Sequence, residues 1–283
     1  MIRHLRHNEI DKVKWDVALS KCHQSLLYAQ SWFLDIVSPN WCALVRGDYE
    51  ELMPLPLKSK WGFKYLVQPN FTAQLGVFST KNEFIDVVDW VKVLRKNYRR
   101  YDINLNTFNS LLKADQMPVL NCELKLDRTY EDLRSDYTKS HKRNLKKAKQ
   151  PEIVEISIKE FLSFKMQELN GVSATQYEKL PILYDAFANR NIPILALAIG
   201  ESDLISAAVF VYFENWIVCF GGASTPKGKE KRAMFALMDH VIRKHQKSDL
   251  ILDFRGGQMK GTRDFFHGFG AEIKTYFRVK RRI

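Results

Sequence analysis

"LDFRGGQMKGTRDFFHGFGAEIKTYFRVKRR", residues 252–282, sets an Asp and an Arg at the tip of an apolar strand and two glycines directly after them. Leu250, Ile251, Leu252 and Phe254 are apolar on both alternating sets, which predicts a central strand over 249–254 buried on both faces. Asp253 and Arg255 then fall where that strand ends, the place at which open α/β sheets gather ligands. Gly256, Gly257 and Gly261 allow conformations closed to other residues and a close approach by a ligand. Thr262 is expected to cap a helix that turns Phe265 and Phe266 inward, Gly268 and Gly270 to end it, and "AEIKTYFRVKR" to return as a last strand. Packing accounts for the phenylalanines and the later glycines, but less well for Asp253, Arg255 and Arg263. A cation such as Arg263 is poorly placed at a helix start unless an anion meets it there.

Outward from this block, 283 residues are long for one domain and natural for two of roughly 130 to 150. Hydrophobic residues at 46% and charged ones at 27% allow each half a core and exclude a disordered chain. The net charge of +12 gathers in runs at 92–100, 139–149, 227–232 and 278–282. Such runs attract phosphates of nucleic acid, nucleotide or lipid, or are solvated faces. Cys22, Cys42, Cys122 and Cys219 are far apart and show no metal-ligand spacing, so reduced thiols and a cytoplasmic address are expected. The longest apolar runs are strand-length, and the amino terminus shows no secretory leader.

One order of elements occurs twice. "SWFLDIV" (31–37) reads as a helix ahead of two strands that turn at Gly47-Asp48, and "LPILYDAFANR" (180–190) as a helix ahead of two that turn at Gly200-Glu201. Each half continues with a further strand ("FKYLVQP" or "NWIVCFGG"), a loop, a helix and another strand ("YDINLN" or "SDLILDFRG"). The helices are expected over 81–97, apolar at Phe84, Ile85, Val88, Val91 and Leu94, and over 229–245, apolar at Ala233, Met234, Leu237, Met238 and Val241. Two copies of one α/β unit follow, with domains 1–125 and 126–283 and the last strand free to pack on either sheet. Between them, one amphipathic helix is predicted from Glu131 or Asp132 to Pro151. Leu133, Tyr137, His141, Leu145 and Ala148 share its apolar face, and Lys139, Lys142, Arg143, Lys146 and Lys149 its basic one.

"LRSDYTKSHKRNLKKAKQ" resembles the segment that opens the second domain of FemABX-like transferases, a branch of the GNAT superfamily, and the 252–282 block resembles their closing D-F-x-G segment. "YLVQPNFTAQLGVFS" is similar to a segment of a bacterial subgroup with this layout. The resemblance implies an α/β (α+β) fold of two tandem GNAT-like domains, each a mixed central sheet flanked by helices, and transfer of an acyl or aminoacyl group to an amine. It also implies a donor bearing phosphates, either charged tRNA or acyl-CoA or acyl carrier protein, with an envelope precursor or lipid as amine acceptor. The GNAT coenzyme A loop pattern Q/R-x-x-G-x-G/A is absent, which favours aminoacyl donors while leaving coenzyme A or acyl-CoA open as co-substrate; no tightly bound cofactor is expected.

Amide formation needs a neutral amine, alignment and donors for the developing oxyanion. Asp253 is the expected base or amine-orienting carboxylate, and Tyr276 a donor to the leaving group. If 67–73 is extended, Gln68, Asn70 and Thr72 share one side and, with Gln74, Arg255 and Arg263, are expected to hold substrate; an edge strand leading to a turn is the alternative. Lys142, Arg143 and Lys146, and the loop residues Ser224, Thr225, Lys227, Lys231 and Arg232, are the expected phosphate holders. No Ser/His/Asp or Cys/His constellation is evident. A noncatalytic nucleic-acid-binding protein on a degenerate transferase fold is the reading from another class.

Overall fold

The computed structural model describes residues 1–22, 24–81, 84–110, 116–168, 177–200 and 202–281. Two compact units divide the chain, Met1–Leu120 with Thr275–Ile283, and Asn121–Lys274. In the first, β1 (Ile2–Leu5) is followed by α1 (Lys12–Ser20) and α2 (Ser31–Val37). Asp11 starts α1 by accepting the Lys14 N–H at 3.0 Å, a side-chain cap for one orphan donor. β2 (Cys42–Arg46) and β3 (Glu51–Leu55) pair across the turn read at Gly47-Asp48. β4 (Leu57–Lys60) and β5 (Phe63–Val67) form a second hairpin. β6 (Phe78–Ser79), β7 (Ile85–Asp86), α3 (Val88–Asn97), β8 (Tyr101–Asn104) and β9 (Asn109–Ser110) complete the run.

The helix expected over 81–97 begins only at Val88, and residues 82–83 lie outside the described ones. The Asp86 carboxylate accepts the Val88 N–H at 2.9 Å, which starts the helix there. Ile85 and Asp86 pair with β9 instead, and Phe84 stacks on Phe108. α3 connects β5 to β8, which run parallel. One core joins Leu44, Met53, Leu66, Trp90, Leu94 and Ile103, with Val279 from the returning strand.

The second unit takes the end of β10 (Gln116–Lys125), then α4 (Tyr130–Ser135), α5 (Lys139–Ala148), β11 (Val154–Glu155), α6 (Ile158–Gln167) and α7 (Lys179–Ala188). β12 (Ile194–Gly200), β13 (Leu204–Phe213), β14 (Trp216–Ser224), α8 (Pro226–Glu230), α9 (Ala233–Lys244), β15 (Ile251–Asp253), α10 (Lys260–His267) and β16 (Glu272–Arg281) follow; β16 crosses into the first unit, where it pairs with β8. The strand order β11-β12-β13-β14-β15-β10 is antiparallel except at β14/β15, which run parallel with α8 and α9 between them. That parallel pair with its crossover helix repeats β5-α3-β8, so the duplicated order of elements is real. Glu201 of the turn read at Gly200-Glu201 lies outside the described residues.

The single helix expected from 131 to 151 is two helices. Thr138 breaks the run by capping α5, its Oγ1 accepting the His141 N–H at 3.3 Å. The expected apolar face still turns inward, with Leu133, Tyr137, His141 and Ala148 buried. His141 is structural: the Phe265 carbonyl at 2.7 Å can only accept, so Nε2 carries the proton and Nδ1 faces the Thr138 hydroxyl at 2.9 Å. Thr262, expected as a cap, lies inside α10, where Met259 is the cap residue and no side chain caps it.

Candidate active site

Two neighbouring strands build the site by register. β10 and β15 are antiparallel with Glu123 opposite Asp253, so the two side chains share a face, and Asn121 joins them two residues back. Asn121 is 1% exposed and Asp253 3%. The Asn121 Nδ2 donates to Glu123 Oε1 and to Asp253 Oδ1, both at 3.0 Å, so one amide bridges two carboxyl groups. The Arg255 N–H donates to the same Asp253 oxygen at 2.8 Å, a side chain closing on its own backbone two residues on. Arg255 takes φ 50° and Gly256 φ 81°, and this left-handed pair ends the strand.

Burial sets the protonation of both groups, and the Asp253 charge adds to it at Glu123. Burial first, and then the Asp253 charge, push Glu123 up to about 7, against the Asn121 hydrogen bond. Burial also raises Asp253, opposed by the Arg255 N–H, Asn121 and the Arg255 charge. A half-buried carboxyl pushed up to about 7 beside a buried one is suited to proton transfer. Burial raises all four cysteine thiols, Cys122 to about 11 and Cys219 to about 12, which disfavours the thiolate at each.

Beside the pair, the sheet opens. β14 pairs with β15 only from Trp216 to Val218, and β15 stops at Asp253 while β14 runs on to Ser224. Its register against β13 shifts at Val209/Phe210, where Val209 faces Gly221 and Phe210 faces Cys219, so Phe220 is the extra residue of a bulge. The Arg255 guanidinium lies over the Phe220 ring, 4.9 Å from its centroid. Lys165 of α6 donates to the Gly222 carbonyl at 2.6 Å, and burial lowers its pKa. Tyr184 of α7 is 2% exposed, and its hydroxyl has no hydrogen-bond partner among the described residues. Burial raises that hydroxyl and the Arg255 charge acts against it, so Tyr184 stays a proton donor. A buried orphan donor beside an open strand edge is an address for a ligand acceptor.

The expected site residues divide into those gathered here and those elsewhere. Asp253, Arg255 and Arg263 surround the glycine turn; Arg263 is the fourth residue of α10 and reaches the Gly257 carbonyl at 3.5 Å. Tyr276 is buried in the first unit, on β16. The extended geometry expected over 67–73 is not found, since β5 stops at Val67 and Phe71 takes φ 65°. Gln68 instead accepts the Asn104 N–H at 3.0 Å and donates to the Thr72 carbonyl at 3.2 Å, and Gln74 accepts the Thr107 N–H at 3.1 Å. Thr72 and Gln74 are buried and Asn70 is exposed, so no shared polar face exists there.

Within the segment expected to be a loop that holds phosphate with Ser224, Thr225, Lys227, Lys231 and Arg232, Pro226–Glu230 form the short helix α8. Thr225 accepts the Gly228 N–H at 3.0 Å and donates to the Ile205 carbonyl, and Ser224 pairs with Ser206 at 2.8 Å, so these polar groups serve the fold. Arg232 takes φ 58° between α8 and α9 and donates to the Lys229 carbonyl. On α5, Lys142 donates to the Ser135 carbonyl at 2.8 Å, and Arg143 is exposed. Lys146 lines a groove of about 670 Å³ with Arg134, Lys149 and Arg243, against Glu131 and Asp239.

No protein-family model matches the chain, and no curated protein matches it in sequence. Solved structures match along its whole length. A structure of FemX is 10% identical with a TM-score of 0.62, over 97% of this chain and 96% of that one. A tandem GNAT protein from the clavulanic acid biosynthesis pathway is 9% identical with a TM-score of 0.54, over 99% and 98%. L-PGS from Bacillus licheniformis is 9% identical with a TM-score of 0.51, over 96% and 92%. The chain therefore has the fold of the FemABX/GNAT-like transferases. It is α/β, with two GNAT-like domains in tandem.

Proposed function

We propose that the chain forms an amide bond by moving an acyl or aminoacyl group to an amine, and that the Glu123–Asp253 pair takes the proton from that amine. The observation that carries this is two carboxyl groups on one amide, Asp253 buried and Glu123 half-buried and pushed up to about 7, beside the open edge of β14. In the reaction the ammonium group of the acceptor gives a proton to the ionised pair. Its nitrogen attacks the ester or thioester carbonyl and gives up a second proton, the carbon to leaving-group bond breaks, and the leaving oxygen or sulfur takes up that proton. Tyr184 is the donor we assign to the oxyanion or the leaving group, in place of Tyr276. Desolvated Lys165 and the Arg255 cation flank the same edge and would hold a carboxylate or phosphate of substrate.

Charged tRNA is the favoured donor. The segment 224–232, where a coenzyme A pyrophosphate would be cradled, has folded its own Thr225 onto the N–H of Gly228. The cations Arg134, Lys146, Lys149 and Arg243 instead line a groove able to neutralise a nucleic-acid backbone. Acyl-CoA or acyl carrier protein as donor is the second reading. The test is titration of the purified protein with coenzyme A, acetyl-CoA and bulk tRNA at low and high salt, followed by turnover of charged tRNA. Salt-sensitive tRNA binding and turnover are expected; salt-resistant coenzyme A binding moves the donor to acyl-CoA, and tRNA binding with no turnover of any donor refutes the enzyme. Asp253→Asn keeps an oxygen for Asn121 and the Arg255 N–H, so it should fold and yet lose about 10²- to 10⁴-fold in transfer rate.

A further inference from the structure

The β4–β5 hairpin ends in Trp61 and Gly62, with Lys60 opposite Phe63. Trp61 has φ 51° and Gly62 φ 78°, so both turn residues are left-handed, the conformation of a two-residue turn that selects Asn-Gly or Gly-Gly. A bulky residue at a positive φ is an outlier, and here packing offers no reason for it. Trp61 is 86% exposed, Phe63 is 72% exposed, and nothing lies within 4 Å of where a Gly62 Cβ would sit. Two aromatic rings therefore occupy a protruding tip against both conformational preference and burial.

The charge along the hairpin and in the segment after α3 has one sign. No Asp or Glu occurs between Leu52 and Asn82 or between Trp90 and Tyr101. Lys58, Lys60 and Lys64 are exposed along the hairpin, and Arg99 and Arg100 after α3 line a groove of about 840 Å³ with Lys60 and Lys64. At about 3.3 Å per residue, the three lysines stand within about 10 Å of the turn. Apolar rings at the extremity with cations a few ångströms behind match the depth profile of a bilayer interface, where aromatic residues enter at the acyl boundary and basic ones meet phosphates.

We propose that this hairpin docks the protein on an anionic phospholipid surface, with Trp61 and Phe63 entering the interface and Lys58, Lys60, Lys64, Arg99 and Arg100 meeting the lipid phosphates. Single-stranded nucleic acid is the other polyanion that aromatic and basic residues serve, by stacking bases on open rings. Here the Lys60 Nζ lies over the Trp61 ring, 4.6 Å from its centroid, and Arg100 over Tyr65 at 5.4 Å, so each of those rings already has a cation on one face. The geometry favours the lipid. The inference does not rest on the proposed transfer chemistry, since it uses no residue of that site.

Co-sedimentation with vesicles of phosphatidylcholine alone, and of phosphatidylcholine with phosphatidylglycerol, tests it. The intact chain should bind only the anionic vesicles and leave them at high salt. The double variant Trp61→Asn with Phe63→Thr suits the turn and the strand, so it should fold at least as well while losing about tenfold or more in vesicle affinity. Replacing Lys58, Lys60 and Lys64 by Gln should remove most of the salt-dependent part. No binding of the intact chain to anionic vesicles, or unchanged binding by the aromatic variant, overturns the proposal. Loss of binding to a single-stranded oligonucleotide in that variant, with vesicle binding unchanged, reassigns the rings to nucleic acid.

Discussion

Replacing Glu123 by Gln keeps the shape and the acceptor for the Asn121 amide but removes the proton that the site has to manage. Burial and Asp253 move Glu123 from 4.5 to about 7. At 1.36 kcal/mol for each tenfold change, that difference is about 3 kcal/mol between the protonated and ionised forms. The sign follows from proton counting. Between about pH 4.5 and pH 7 the folded chain holds a proton that the unfolded chain has released, so stability falls as pH rises across that window. Gln cannot ionise, so Glu123→Gln should match the native chain near pH 4.5 and exceed it by about 3 kcal/mol at pH 8. Urea unfolding of both proteins at pH 5 and pH 8, followed by a probe in the second unit, measures the difference. An equal difference at both pH values refutes the argument, because the charge on Glu123 would then carry no penalty. The same variant should lose the limb of the transfer rate that rises through about pH 7, along with most of the rate, since the ionised pair is the base. A gain in stability joined to a loss of turnover is what a group held for chemistry rather than for folding should show.

Two further substitutions separate ligand-facing groups from structural ones. Tyr184→Phe removes a buried hydroxyl that has no partner among the described residues, so stability should hold or rise by up to about 1 kcal/mol while turnover falls; a stability loss above that assigns the hydroxyl to the fold. Gly268→Ala would set a Cβ against the His141 ring, and thermal unfolding should show a loss of about 2 to 3 kcal/mol, whereas an unchanged midpoint means that α5 and α10 can part without strain.

The closing block of the chain was legible because its constraints are local. An apolar strand ending at Asp253, left-handed backbone at Gly256 and a helix ended by Gly268 are written in neighbouring residues, whereas the left-handed turn already begins at Arg255, where no glycine signals it. The break after Asp136 had a signal as well, a threonine three residues before His141, but the continuous apolar stripe outweighed it. The segment around Gln68 alternates as a strand does, and only the bonds from Asn104 and Thr107, far along the chain, make it a loop. In 224–232 the glycine and basic residues suggest an open cradle, but a Thr-Pro pair starts a helix that closes it.

Glu123 was beyond reach for a different reason. Val119, Asn121 and Glu123 alternate with Leu120, Cys122 and Leu124, a pattern that by itself describes a strand with one wet face. What makes that face an acid–base site is the register, since Glu123 meets Asp253 only because β10 lies antiparallel to β15. Two carboxyl groups in register on adjacent strands repel, and a fold selected for stability alone would separate them or place a cation between them. Here an uncharged amide sits between them and orients both groups, while the Arg255 charge favours ionised Asp253 and the Lys274 charge ionised Glu123. Asn121→Asp should therefore put a third acid on the pair and raise its protonation further, moving the pH dependence of transfer upward, whereas an arrangement that only tied strands together would show the change in stability and leave the pH profile where it was.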